Sequence, residues 1–291
     1  MSQHDSVPLA VGGLGGSGTR VFASLLMQGG VDIGTCLNAA LDNRWFTVLF
    51  KREDWTRLGA AVDEVDVAID LFCRAMKVGL AGNVSDGEEE LIRSLGALLP
   101  PTGNWRTGAR TSDAIDLLGS TGREAPGSRW GWKEPNTHLF LPRLAQALPT
   151  LRYIHVVRDP LDMAFSGNRW QLRHWGQLFG VADDGSPEPV RQTRYWIEAN
   201  RRALEVGQES MSGRFLAVSY EEFCRHPEEL APRLLRFCGL DEDATLPVES
   251  ISPSTIGRSS QHDLSIFSGA DLERAQQISQ AVAASTHGEA G

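Results

Sequence analysis

The stretch that most restricts the fold of this chain is LAVGGLGGSGTRVFASLL, residues 9–26. A short apolar run ends in glycines, and apolar residues at helical spacing follow directly. A strand, a glycine-rich turn and a helix in this order wrap a phosphate, because backbone N–H groups and the helix N-terminus both face the anion. A tight connection between two elements has the same composition. The position of the turn, after a strand and before a helix, favours an anion site.

The turn departs from the nucleotide-binding pattern GxxxxGK[ST] at its lysine. Gly13 and Gly18 have the right spacing, but Thr19 stands where lysine belongs and Arg20 follows. In phosphoryl transfer that lysine and a metal ion neutralise the β- and γ-phosphates, and an aspartate helps to hold the metal. The strand that would end in this aspartate ends in Arg158 instead. A donor with one phosphate at its transfer end needs no metal bridge, and the missing lysine and aspartate favour such a donor. A P-loop phosphotransferase or NTPase is the alternative interpretation.

Four short apolar segments are predicted to be buried strands, each leading into a helical pattern. Their hydrophobicity is continuous rather than alternating, which is typical of strands covered on both faces of a parallel sheet. Strands separated by helices indicate right-handed crossovers. The predicted fold class is therefore α/β, with a three-layer parallel sheet built from residues 7–13, 128–134, 152–157 and 214–220.

We expect residues 1–291 to form a single domain with a helical insertion at about residues 32–127. This stretch contains no good strand but has two amphipathic helix candidates, residues 60–76 and 88–99. Its place between the first two strands predicts that it lies over the binding edge of the sheet. It is either a structural subdomain or a cap over the acceptor. The small, polar tail at about residues 281–291 is predicted to be flexible.

The second informative junction is RYIHVVRDPLDMAFSGNR, residues 152–169. Arg158 stands at the end of the buried strand, Asp159 suits a helix N-cap, and Pro160 suits the first helical position. We expect Ser166 about two turns into this helix, facing the side of the arginine. A guanidinium and a hydroxyl together bind a phosphate that the glycine turn does not hold. Alone, RDP is also a common helix start with a solvated arginine.

Composition restricts the partners and the location. The formal net charge of −9 disfavours nucleic acid, although a few converging arginines still bind a small anion. The first residues resemble no signal peptide, and no run approaches the ~20 apolar residues that span a bilayer. The four cysteines lack metal-type or C-x-x-C spacing, as expected of reduced thiols. We therefore expect a cytoplasmic protein without bound metal, of open oligomeric state.

Four motifs together resemble the 3′-phosphoadenosine-5′-phosphosulfate (PAPS)-dependent sulfotransferase family, in a bacterial branch. They are GGSGTR, WGWKEP, VVRDPLDMAFS and VSYEEFCRHPEELAPRLLRFCGL, and they belong to the sheet-forming parts, roughly half of the chain. The resemblance implies a P-loop NTPase-like sulfotransferase fold. It also implies metal-free, in-line transfer of a sulfuryl group from PAPS to a hydroxyl or amine of a small-molecule or glycan acceptor, with PAP as the second product.

The resemblance further implies a donor site made of three segments. The first loop of the family binds the 5′-phosphosulfate of the donor. An arginine and a serine eight positions apart, the spacing of Arg158 and Ser166, bind its 3′-phosphate. A later basic glycine segment, here TIGRSS at residues 255–260, completes the site. Carried onto this chain, the donor-binding residues are Gly15, Gly16, Ser17, Gly18, Thr19, Arg20, Arg158, Ser166 and Arg258.

The family usually has lysine or arginine directly before the serine of the first loop, and this chain has Gly16 there. A cation must then come from elsewhere, and Arg20 and Lys133 are the candidates. Lys133 in WGWKEPN resembles the family's lysine and is expected to bridge the sulfuryl group and the leaving phosphate. An ordinary strand-end salt bridge with Glu134 is the alternative for Lys133. The missing cation also leaves open a non-catalytic PAP- or nucleotide-binding protein.

The general base has three candidates. Many cytosolic members of the family use a histidine two residues after the lysine, but Pro135 stands there. Other branches use a carboxylate soon after the first helix, which Asp42 in LNAALDN supplies. We favour Asp42, with Glu134 close behind and His138 as the third option. A base must first be within hydrogen-bond reach of the acceptor proton, so the choice depends on geometry.

Overall fold

A computed structural model of the chain describes residues 7–52, 55, 61–102, 108–123, 129–242 and 256–288. Within these residues one parallel sheet is present, in the spatial order β2–β1–β3–β4. In the register, Val11 lies opposite Lys133 on one side and Ile154 on the other. Each predicted strand is confirmed, the third with the same bounds and the other three with shorter ones: β1 (Leu9–Gly13), β2 (Gly131–Lys133), β3 (Arg152–Val157) and β4 (Phe215–Ser219).

Helices connect and flank the strands, and local capping explains several of their starts. Asn43 accepts the Phe46 N–H at the start of α2, and Ser85 forms a capping box with Glu88 at the start of α4. None of the described helices is both long and apolar enough to cross a membrane. The α-helices are α1 (Thr19–Gln28), α2 (Arg44–Phe50), α3 (Val62–Lys77), α4 (Asp86–Ala97), α5 (Thr111–Leu118), α6 (Leu141–Ala147), α7 (Pro160–Ala164), α8 (Trp170–Trp175), α9 (Glu188–Ser210), α10 (Tyr220–Arg225), α11 (Pro227–Cys238) and α12 (Gly269–His287). Three 3₁₀-helices lie at Pro135–Phe140, Gly176–Phe179 and Arg258–Gln261 in the described chain.

The sheet is buried on both faces, as its continuous hydrophobicity predicted. Leu9 and Val11 point into a core formed with α1, α10 and α11, whereas Ala10 between them points into a core shared with α2, α3 and α9. Successive side chains of a strand face opposite sides of a sheet, so β1 needs apolar residues at every position. The three-layer α/β architecture is therefore confirmed.

The helical stretch between β1 and β2 begins and ends at residues that are hydrogen-bonded neighbours. Asp32 forms an isolated parallel bridge with Trp130, through the bonds Asp32 N–H to Arg129 O (3.0 Å) and Gly131 N–H to Asp32 O (2.9 Å). The two predicted amphipathic helices are present as α3 and α4. Phe72 of α3 packs edge-on against Trp132 of β2, with 5.3 Å between ring centroids. This shared core favours the predicted single domain.

The prediction that Ser166 lies about two turns into a helix is wrong. Helix α7 ends at Ala164, and Ser166 follows in a turn in which its N–H donates to Met163 O at 3.1 Å. The guanidinium of Arg169 binds the carbonyl oxygens of Ala164, at 2.8 Å, and of Ser166. These carbonyls would otherwise accept the N–H groups of a continuing helix. The side chain of Arg169 thus ends the helix early.

The predicted flexible tail is also wrong for residues 281–287, which form the last turns of α12. Val282 and Thr286 are buried there, and the Thr286 hydroxyl accepts the Ser219 N–H at 2.8 Å. Arg233 binds the carbonyl oxygens of Ser285, at 3.1 Å, and of Thr286. The small residues that suggested fraying instead let the helix pack closely on β4. Residues 289–291 lie outside the described part.

Candidate active site

The turn between β1 and α1 has a backbone that only glycine adopts easily. Gly18 has φ 90°, and a Cβ on it would lie 2.2 Å from the Tyr220 ring. Gly13 has φ 146°, and a Cβ there would lie 2.4 Å from Val156 O. These conformations and contacts exclude larger side chains. They hold the turn against β3 and α10 in one shape.

The turn presents several hydrogen-bond donors that the protein itself does not use. In the described part of the chain, the backbone N–H groups of Gly18, Thr19 and Arg20 have no protein acceptor. The Ser17 hydroxyl is buried and has no hydrogen-bond partner among the described residues. Unused N–H groups at the start of a ten-residue helix, joined by a buried hydroxyl, suit a small anion.

A chain of buried amide side chains fixes the first residue of this turn. Gln171 accepts the Gly15 N–H at 2.7 Å and donates to Asn136 Oδ1 at 2.9 Å. Asn136 in turn donates to Glu134 Oε1 through its side chain (2.9 Å) and to Glu134 Oε2 through its backbone (2.6 Å). Sequence reasoning missed Gln171 and Asn136. Gln171 lies 156 positions from Gly15, so no local pattern reveals this bond.

Lys133 and Asp42, which are far apart in the sequence, form an ion pair in which the lysine is buried and the aspartate is partly exposed. Lys133 ends β2, and its ammonium group donates to Asp42 Oδ1 and, at 3.0 Å, to Ala40 O. The turn that carries these acceptors is held by Asn38, whose side chain donates to Asp42 Oδ2 at 2.9 Å. Leu41, inside this turn, has φ 63°, an uncommon conformation for a non-glycine residue. The structure thus brings two of the predicted catalytic residues together.

The other two candidate bases lie in the core. Both oxygens of the Glu134 carboxylate bind Asn136, and burial raises the pKa of this carboxyl while nearby Lys51 opposes the change. His138 donates to Pro135 O at 2.8 Å and lies edge-on to His155, and burial lowers the pKa of His138 to about 3. Neither side chain lines the cleft described below.

Lys51, at the end of α2, adds a cation that sequence reasoning missed. Its ammonium group lies 4.1 Å from the centre of the Trp170 ring. Burial lowers the pKa of Lys51, while the carboxylates of Glu134 and Asp42 raise it and Lys133 lowers it further. The chain has only three lysines, so the pairing of two of them near one carboxylate is a local concentration of positive charge.

An open cleft of about 830 Å³ joins the glycine turn to the Lys133–Asp42 pair. One side, which we call the sheet wall, comprises Gly15, Gly16, Gly18, Thr19, Arg20 and Lys133. The opposite side, which we call the insertion wall, comprises Asn38, Ala40, Asp42, Arg44 and Arg110. The lining charges are mostly positive although the whole chain is acidic. Such a cleft concentrates anionic ligands.

Arg158 and Ser166 also lie beside the glycine turn. Arg158 donates to Gly16 O at 3.1 Å, and a Cβ on Gly16 would lie 3.6 Å from the Ser166 hydroxyl. Arg158 is 8% exposed, faces Glu221 at 3.9 Å, and lines a smaller hollow of 290 Å³ rather than the cleft. The pair is therefore close to the turn, and Arg158 borders a different hollow from the cleft.

Arg258 is brought to the same region by a buried aspartate. Asp162 of α7 accepts the backbone N–H groups of Gly257 (2.6 Å) and Ser259 (2.8 Å). Arg258 thereby sits on a short 3₁₀-helix against the element that links Arg158 to Ser166. Thr255, the first residue of the predicted segment, lies outside the described residues. Within the described chain, no group of three His, Cys, Asp or Glu side chains could hold a metal ion.

The chain is similar to a known protein family and to several solved structures. A family model described as "Sulfotransferase family" matches residues 8–244. The sulfotransferase domain of the Synechococcus PCC 7002 olefin synthase is similar over 96% of this chain and 97% of its own, at 14% identity and a TM-score of 0.47. Sulfotransferase STF9 from Mycobacterium avium is 16% identical, with 98% and 77% covered and a TM-score of 0.45. A sulfotransferase from Alicyclobacillus acidocaldarius is 13% identical, with 93% and 95% covered and a TM-score of 0.46. No curated protein sequence matches the chain.

Proposed function

The chain belongs to the sulfotransferase family, and from that premise we propose that it moves a sulfuryl group from PAPS to a hydroxyl or amine of a small-molecule or glycan acceptor. One observation carries the proposal. The Lys133–Asp42 ion pair and the glycine turn with its unused donors line the same cleft. An anion-binding turn, a cation and an accessible carboxylate are the parts that in-line transfer needs.

The glycine turn suits the 5′-phosphosulfate end of the donor. The free N–H groups at the start of α1 and the buried, unpartnered Ser17 hydroxyl support this assignment. A phosphate accepts several hydrogen bonds at once and favours the N-terminus of a helix. PAPS, when bound, supplies the sulfuryl group and leaves as PAP. Residues 15–20 hold its phosphosulfate without moving, since the positive φ angles of the glycines already shape the turn.

The 3′-phosphate of the donor is assigned to Arg158, Ser166 and Arg258. Their support is proximity: two of them contact or adjoin Gly16, and Asp162 docks the third on the same helix. The guanidinium of Arg158 exchanges its bond to Gly16 O for the phosphate, which offers a stronger, charge-assisted acceptor. Glu221 at 3.9 Å keeps the guanidinium oriented during that exchange.

Lys133 stabilises the charge that develops during transfer. Its ammonium group is buried at the end of β2, where its charge acts more strongly than in water. Gly16 replaces the cation that the family usually carries before the loop serine. Arg20 on the rim, and Lys51 behind Lys133, are the neighbouring positive charges that support the same role. Lys133 at the end of β2 and Arg20 at the start of α1 therefore supply positive charge beside the turn.

Asp42 is the general base in this proposal. It lines the cleft, whereas the Glu134 carboxylate is wrapped by Asn136 and lies outside it. Asn38 and Lys133 hold one oxygen each of the Asp42 carboxylate, so the carboxylate has a fixed orientation. The acceptor hydroxyl or amine loses its proton to Asp42 as its oxygen or nitrogen attacks sulfur. A base in hydrogen-bond reach contributes about 10²- to 10⁴-fold to such a step.

A ligand-stabilisation experiment tests the donor assignment. The melting temperature is measured with PAP in EDTA, with Mg-ATP, and without ligand. The proposal expects stabilisation by PAP without magnesium, since ligand binding to the native state raises the melting temperature. Sulfuryl transfer from PAPS is then followed with a panel of hydroxyl and amine acceptors. Stabilisation by Mg-ATP alone contradicts the proposal and supports a phosphotransferase. Binding of PAP without turnover over a broad panel supports a non-catalytic binder.

A further inference from the structure

Two arginines of the insertion wall share one buried carboxylate. Asp113 Oδ1 accepts Arg44 Nη1 at 3.2 Å and Arg110 Nε at 3.2 Å, and its Oδ2 accepts the Arg110 backbone N–H at 2.8 Å. The Asp113 side chain is only 3% exposed, whereas Arg44 is 22% and Arg110 is 47% exposed. The buried carboxylate therefore fixes both guanidinium groups from behind while their outer faces reach the cleft.

Most donors of the two guanidinium groups are unused. Within the described residues, each side chain makes one hydrogen bond, although an arginine carries five N–H donors. One carboxylate cannot neutralise two arginines, so the pair leaves a surplus positive charge. Another nearby carboxylate, Asp116, accepts the Trp45 indole N–H at 3.0 Å and does not line the cleft. In the described part of the chain, no carboxylate other than Asp113 binds these two guanidinium groups, so the surplus charge faces the cleft.

Arg44 and Arg110 line the same cleft as Asp42, the proposed base, and are therefore placed near the acceptor. Arg44 follows Asp42 by two positions, and the residue between them, Asn43, is tied to the Lys133 carbonyl by its N–H at 2.8 Å. The residues assigned to the donor belong to the sheet wall or to the neighbouring group of Arg158, Ser166 and Arg258. Arg44 and Arg110 belong to the insertion wall. A molecule that presents its hydroxyl or amine to Asp42 thus has the two guanidinium groups beside its remaining atoms.

We propose that Arg44 and Arg110 select an acceptor that carries an anionic group, a carboxylate or a phosphate or sulfate ester, next to the hydroxyl or amine that is sulfated. This inference rests on the proposed function, because Asp42 marks the acceptor end of the cleft only if it is the base. Paired guanidinium groups recognise planar carboxylates and phosphates through parallel charge-assisted bonds. The buried Asp113 holds the two groups in place before the acceptor arrives, which lowers the ordering cost of binding.

The test measures binding of matched probes to the protein with and without saturating PAP. One pair is 4-hydroxyphenylacetate and its neutral amide, and the other is glucose 6-phosphate and glucose. We expect the anionic member of at least one pair to bind at least about tenfold more tightly, the effect of one charge-assisted bond. The pair that shows the preference identifies the carboxylate or the phosphate as the anion.

Single substitutions then locate the preference. Arg44→Gln and Arg110→Gln each leave Asp113 paired with the other arginine and with the Arg110 backbone N–H, so both variants are expected to fold. Each should lose most of the preference for the anionic probe and keep the affinity for PAP. Arg93→Gln, which removes an exposed arginine bound to Glu89 on α4, is the matched control and should change neither.

Two results overturn the inference while leaving the proposed function intact. They are binding of PAP with no preference for either anionic probe, and a preference that survives in both arginine variants. Failure of PAP to bind contradicts the proposed function instead. In that case the measurements without PAP still decide whether Arg44 and Arg110 form an anion site.

Discussion

The two walls of the cleft are built in different ways. The sheet wall consists mainly of backbone groups of the glycine turn, whose first residue is held by Gln171, and of Lys133 at a strand end. The insertion wall consists mainly of polar side chains that start from turns and helix ends, and these side chains bind one another, Lys133 or Asp113. The shape of the first wall follows mainly from backbone conformation, and that of the second from individual side-chain pairs. Changes to the sheet wall or to Asp42 should therefore affect every substrate, whereas changes to Arg44 or Arg110 should affect only some.

The largest expected effect comes from Lys133→Ala on the sheet wall. Removal of the buried cation should lower kcat by about 10³-fold, comparable to the loss of one preorganised oxyanion-hole donor in acyl-transfer enzymes. Affinity for PAP, measured by calorimetry, should fall little because the glycine turn remains. Lys77→Ala, at the end of α3 and outside the cleft, is the matched control. Near-normal turnover of Lys133→Ala would remove this lysine from the mechanism.

The next effect compares a carboxylate of the insertion wall with one of the core. Asp42→Asn keeps the shape of the side chain and should lower kcat by about 10²-fold at least, because the base is lost. Glu134→Gln should mainly alter stability, since this carboxylate is buried outside the cleft and binds Asn136 there. Steady-state rates of the two variants at the same acceptor concentration decide between them. Neither carboxylate is the base if both variants stay active.

A third prediction compares Gly18 of the glycine turn with Gly82, a glycine of the insertion that has open space around it. Gly18→Ala places a methyl group against the Tyr220 ring and keeps a positive φ, so unfolding free energy should fall by about 3 kcal/mol and PAP affinity should also fall. Gly82 has φ 72° with nothing within 4 Å of a Cβ, so Gly82→Ala should cost only about 1 kcal/mol for the backbone. Equal losses in chemical denaturation would mean that the contact with Tyr220 has no effect.

The smallest effect is a pH dependence of stability from the core beneath the cleft. Burial lowers the pKa of His138 to about 3, so this histidine takes up a proton on unfolding below its ordinary value of 6.5. Stability is therefore lost as the pH falls from about 6.5, by up to about 1.4 kcal/mol per pH unit for one histidine. In His138→Asn this contribution is absent. The difference in melting temperature between the two proteins should narrow from pH 7 to pH 5, and a constant difference would contradict the assignment.

The sheet wall was accessible to sequence reasoning because its signals are local. Glycines at fixed spacing between a strand and a helix, and a lysine at a strand end, each point to the edge where parallel strands end. The structure brings Lys133 and Asp42 together in an ion pair, and the roles of the two residues stay predictions. Ser166 was placed wrongly because the helix end depends on a side chain, Arg169, that binds backbone carbonyls.

The insertion wall was not accessible in the same way. Of this wall, Asp42 was predicted, but Arg44 and Arg110 reach the site only through tertiary packing and their shared contact with Asp113, and nothing in their neighbouring residues marks them. Gln171 likewise acts on Gly15 from a distant helix. Contacts between residues far apart in the chain depend on the tertiary structure, so single-sequence patterns predict the elements but not these partners.

The bridge between Asp32 and Trp130 has a consequence for how such a chain changes over evolutionary time. The helical stretch between β1 and β2 begins and ends at residues that are hydrogen-bonded to each other. Its length and sequence can therefore change without shifting the strands. Sequence changes in the part of this stretch that follows Asn43 can then alter which acceptors bind, provided that Asp42 and its bond to Lys133 are kept.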